Sequence, residues 1–135
     1  MAKFHNAVQQ YNRVGVAAGV EEASPHRLIQ MLMEGVIEKI AIAKGHMERG
    51  DTAKKGSHIS WAISIVDGLR ASLDLNAGGE VAQNLDDLYD YINHRLVTAN
   101  LDNNIDLLDE VTSLLKSIKS AWDQLPEAEK PGQSN

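Results

Sequence analysis

The three prolines of this chain stand at positions 25, 126 and 131, so the 100 residues between the first two contain none. Proline removes a backbone donor and clashes with the preceding turn, and its absence leaves that whole stretch free to be helical. The aromatic residues that strands favour are scarce, with one Phe, two Trp and three Tyr in 135 residues. The central block is a helix-only candidate.

Punctuation divides it. Ser24 has the chemistry of an N-cap, and Pro25 occupies a first helical position where a missing N–H costs nothing. A first helix runs from there to about Arg49, where Gly50 suits the left-handed C-terminal position. A second starts near Asp51 or Thr52 and continues to about Asn76, stopped by the "AGG" of 77–79. A third covers about Val81 to Asn100, and "DNN" at 102–104 breaks it and caps a fourth ending by Leu125. Asp106, Asp109 and Glu110 early in that last helix, with Lys116 and Lys119 later, follow the sense the helix dipole prefers. Four helices of about 20 to 25 residues on short connections make an all-α, antiparallel up-down four-helix bundle. Residues 1–23 form a separate N-terminal arm in which Phe4, Val8 and Tyr11 share one helical face; 24–125 form the bundle, and 126–135 a frayed polar tail.

Each helix has a main apolar stripe, and then too much left over. Leu28, Ile29, Leu32 and Val36 share one face of the first helix within "ASPHRLIQMLMEG", yet Met31 points almost the opposite way. Ile42 and Gly35 lie with it. On the second helix, Ile59, Ala62, Ile63, Val66, Leu69 and Leu73 read as core, leaving a second stripe of Trp61, Ile65, Gly68, Ser72 and Leu75. The third places Leu85, Leu88, Tyr89, Ile92 and Leu96 inward and Tyr91 outside. The fourth has Leu108, Val111, Leu115, Ile118 and Trp122 inward, widening through Leu107, Leu114, Ala121 and Leu125. A bundle needs only about three apolar positions in seven. A wider core or packed arm, a homodimer face, and a groove for another protein's apolar helices all answer the excess, and composition does not rank the last two.

Chemistry is hard to find. There is no Cys, which excludes disulfides, thiol catalysis and Cys-ligated zinc. A formal net charge of −6 argues against nucleic acid. No apolar run approaches the length of a membrane span, so the expectation is a soluble cytoplasmic chain without membrane insertion. The inward Glu-x-x-His pairs of a di-iron bundle are missing, as are the glycine-rich phosphate loops. No catalytic residue, metal ligand or cofactor is expected. The nearest enzyme-like alternative is a histidine phosphotransfer bundle using His58, but bulky Trp61 stands where an incoming partner needs room.

Taken in order, "ASPHRLIQMLMEG" (23–35), "GLRASLDLNAGGE" (68–80), "NLDDLYDYINHRLVTANLDNN" (84–104) and "LDEVTSLLKSIKSAWDQL" (108–125) resemble the flagellar secretion chaperone FliS family. The resemblance covers about residues 4 to 125; Met33 stands where the family often has Tyr, and the arm carries one tyrosine, Tyr11, instead of two. It implies a cytoplasmic helical bundle that binds the disordered C-terminal region of flagellin one to one and stops it polymerising before export. It implies delivery to the export gate, the cytoplasmic domain of FlhA, and an N-terminal segment that caps apolar pockets until flagellin arrives. The helical wheel, rather than the resemblance, then assigns residues. Trp61, Ile65, Gly68, Ser72 and Leu75 with Tyr91 form one stretch of a flagellin-binding groove. Leu107, Leu114 and Ala121, with Met31 and Ile42, form another, and Phe4, Val8 and Tyr11 are the plug. A free homodimer could hide the same stripes.

Overall fold

A computed structural model describes residues 23–125, so the arm with its expected plug of Phe4, Val8 and Tyr11, and the tail, lie outside the described residues. Within them are four helices: α1 Pro25–Glu48, α2 Thr52–Ala71, α3 Leu75–Asp102 and α4 Ile105–Gln124. Ser24 accepts a hydrogen bond from the Arg27 amide at 3.1 Å and starts α1 on Pro25, while Gly50 takes φ +74° after its end. Asp51 and Asn104 cap α2 and α4 in the same way, and Asn103 adopts the left-handed conformation that terminates α3.

Connections of two or three residues force each helix back along its predecessor, and the cross-links agree. Lys44, late in α1, meets Asp109 early in α4 at 2.9 Å, and Gln30, early in α1, meets Asp123 late in α4 at 2.7 Å. Lys55 at the start of α2 reaches Asn100 and Asn103 at the end of α3, while Arg70 at the end of α2 meets Asp86 and Asp90. Neighbours pack in a ring of α1–α2, α2–α3, α3–α4 and α4–α1 around one core, with α1–α2 the most extensive contact. The expected all-α bundle is the fold.

One boundary differs. α2 stops at Ala71, not Asn76, because Asp74 accepts from the Asn76 and Ala77 amides and starts α3 there. "AGG" is consequently not a linker but a kink inside α3, where Gly79 takes φ 55° and ψ −132°. No atom lies within 4 Å of where a Cβ would stand, so backbone conformation rather than space demands glycine.

Candidate functional site

Past the kink, α3 carries Val81, Leu85, Leu88 and Tyr91 down one flank. Spacings of four, three and three keep them on one helical face. α4 answers with Leu114, Ile118 and Leu125, and between these places Ser113, Ser117 and Ala121 at intervals of four. Bulky residues on one helix against small ones on the other leave a trough. It contains two adjoining depressions that share Leu88 and Ser117. One, about 380 Å³, is lined by Val81, Leu85, Ile118, Ala121 and Leu125 over deeper Met33, Tyr89 and Trp122. The other, about 640 Å³ and more open, runs past Tyr91, Glu110, Ser113 and Leu114.

Polar side chains frame the trough. The Tyr91 hydroxyl donates to Glu110 Oε2 at 2.8 Å, and Arg95 Nε lies 2.9 Å from that hydroxyl and 3.1 Å from Glu110 Oε1. The hydrogen bond to Tyr91 and the charge of Glu110 hold the Arg95 guanidinium above its ordinary pKa. These three side chains tie α3 to α4. At the other end the Trp122 indole N–H donates to the His26 carbonyl at 3.1 Å, and the two rings stack 5.7 Å apart, fixing the end of α4 to the start of α1.

The expected groove residues separate into three groups. Tyr91, 40 % exposed, and Leu114 line the larger depression, and Ala121 lines the smaller. Leu107 is half-buried on the same helix, and Leu75, 43 % exposed, lies in the first turn of α3; neither lines these two depressions. Met31, Ile42 and Trp61 are half-buried on the α1–α2 side, away from it. The Lys39 ammonium sits 3.8 Å over the Trp61 ring, and His58 lies between Trp61 and His46, at 5.9 and 5.3 Å.

Ile65, Gly68 and Ser72 require correction as surface residues, because all three are buried and Ile65 belongs to the core itself. The reason is the setting of α2, which lies between α1 and α3 and buries a wide arc that reaches Ile65 and Gly68, leaving the strip of Ser57, Ser60, Ser64 and Asp67 outward. An arc that wide leaves a helical wheel little by which to choose its centre. Ile63, assigned inward, is the partly exposed one.

Tyr89 and Trp122 belong to the core as expected and also floor the trough, while Leu85, Leu88 and Ile118, expected inward, are half-buried and form its walls. The signal for them was present. Val81, Leu85 and Leu88 edge the α3 stripe, and the serines and alanine of α4 recur every fourth residue. Among the described residues no group of three or more His, Asp or Glu could hold a metal ion, and no helix is long and apolar enough to cross a membrane.

The family described as Flagellar protein FliS matches residues 7–129. The flagellar secretion chaperone FliSB of Pseudomonas aeruginosa is 52 % identical over 117 residues, 87 % of this chain and 93 % of the relative. The flagellar secretion chaperone FliS of Salmonella typhimurium is 44 % identical over 121 residues, 89 % and 90 % of the two chains. That of Vibrio cholerae is 40 % identical over 123 residues, 91 % and 90 %. An apolar trough on a closed helical bundle thus occurs in a chain that belongs to the FliS family of flagellar secretion chaperones.

Proposed function

We propose that this chain is a cytoplasmic export chaperone whose α3–α4 trough holds, one to one, the C-terminal region of flagellin, which is disordered when free and orders as helix on binding. Covering the segment's apolar face prevents premature polymerisation and presents the client to the export gate, the cytoplasmic domain of FlhA. The observation that carries the reading is the continuous apolar trough beside a core that is otherwise sealed.

Such a site suits the task energetically. A disordered client loses conformational entropy as it orders, so even a large apolar contact stays reversible. Met33 on the floor has a flexible thioether that adapts to an imperfect fit. Phe4, Val8 and Tyr11 of the arm would occupy the site until the client displaces them.

Calorimetric titration with a flagellin C-terminal fragment tests this. Leu114→Asp places a carboxylate in the trough and should weaken binding by roughly 30-fold or more while the bundle stays folded. Unchanged affinity in the folded variant refutes the trough. Deleting residues 1–15 should tighten binding, and weaker binding contradicts the plug.

A further inference from the structure

Tyr89 is 2 % exposed, and it lines the smaller depression. Its hydroxyl has no hydrogen-bond partner among the described residues, and burial alone pushes its pKa upward, so it keeps its proton and remains a donor. A phenylalanine would fill the same ring space. The other polar groups of that depression are accounted for: the Trp122 N–H is given to the His26 carbonyl, and Ser117 stands at the exposed mouth. The hydroxyl is not sealed in but reached by solvent, so whatever fills the cavity it borders must take the place of its water partner.

We infer that Tyr89 is a specificity-determining residue of the trough, donating a hydrogen bond to an Asn, Gln, Ser or Thr side chain on the otherwise apolar face of the bound client. The inference rests on the trough being the client site. Backbone carbonyls in the interior of a helical client are already engaged, so along a helical stretch the acceptor is a side chain. A purely aliphatic client would expel the water that satisfies the phenol and give nothing back. The hydroxyl would therefore set the register at which an apolar helix slides into a trough with few other fixed points.

The test uses the full chain and the flagellin C-terminal fragment, with thermal unfolding measured alongside. Tyr89→Phe should weaken binding about 5- to 30-fold and leave Tm unchanged or slightly raised, since no internal hydrogen bond is lost. Replacing each Asn, Gln, Ser and Thr of the fragment by Ala in turn should identify one position that costs the wild type a similar factor. That position should cost Tyr89→Phe almost nothing, as coupled partners do. Affinity of Tyr89→Phe within twofold of wild type overturns the inference, and so does a clear fall in Tm, which would put the hydroxyl's partner inside the fold. Absence of binding by the wild type would defeat the reading of the trough itself, a result distinct from loss in the variant alone.

Discussion

The α1–α2 pair and the α3–α4 pair are built from the same aliphatic residues and finish differently. Across α1 and α2, Leu28, Leu32, Val36, Ile59, Ala62, Ile65 and Leu69 are wholly sealed, in the most extensive helix contact of the bundle. Across α3 and α4, Leu85, Leu88, Leu114 and Ile118 remain half-buried, and Val81, Tyr91 and Ala121 are exposed. Apolar content does not separate the pairs. What separates them is arrangement, because α4 interposes Ser113, Ser117 and Ala121 among its large residues and leaves α3's leucines unmatched. Both pairs contribute sealed residues to the core, but the second leaves more of its large side chains facing a trough.

Alanine substitutions should expose that division most sharply. Leu69→Ala removes a fully buried side chain and should cost about 3 kcal/mol, with a fall of roughly 10 °C in Tm. Leu88→Ala, at the shared wall of both depressions, should cost less than about 1 kcal/mol because the trough already lets water in. It should nonetheless weaken flagellin binding about tenfold or more. Denaturant unfolding and titration of both variants check the pair. Equal stability losses would erase the distinction between closed and open halves.

A smaller effect is expected at the joint between the halves. Lys55 is buried, and its ammonium reaches the Asn100 carbonyl and Asn103 Oδ1, each at 2.8 Å. It therefore satisfies carbonyl groups at the end of α3, where the helix dipole favours a cation. Lys55→Met keeps the stem and removes the donors, and should lower unfolding free energy by about 1–2 kcal/mol. Client affinity should stay near wild type, since the joint lies at the far end from the α3 kink. A variant as stable as wild type would show the ammonium is not holding α3 to α2.

The same contrast explains what could be read from the chain alone. Caps and helix-breaking residues are local, so Ser24, Pro25, Gly50 and the Asn103–Asn104 pair announced their roles. Asp74 is equally local but is overshadowed by the glycines that follow it, so reading those glycines as the stop carries α2 past its end at Ala71. Which side of a helix faces the core is a different kind of information. It is legible on α4, whose faces differ strongly and where Leu108, Val111 and Leu115 are buried while Leu114 and Ala121 lie outside the core. It could not be read on α2, where Ile65 and Ile63 exchange their expected surroundings. The floor residues Tyr89 and Trp122 were hidden for another reason: they are core and site together, and burial alone does not distinguish the two.

The smallest expected effect concerns the tie between α4 and α1 beside the trough. Asp123 accepts from Lys119 Nζ and from Gln30 Nε2, each at 2.7 Å. The hydrogen bond from Lys119, with lesser help from Gln30 and His26, holds its carboxyl below the ordinary value of 3.8. A carboxyl depressed on folding contributes stability that is present above 3.8 and is lost as pH falls through the lower folded value. The pair is solvent-reached, and Lys119 also has Glu34 at 3.7 Å, so the contribution at pH 7 is screened to a few tenths of a kcal/mol. Asp123→Asn should therefore shift the urea midpoint only slightly at neutral pH, and the gap from wild type should close as pH falls through the lowered folded value. A gap that persists undiminished in acid would mean that the hydrogen bonds Asp123 accepts, from Gln30 of α1 and from Lys119 of its own helix, matter more than its charge.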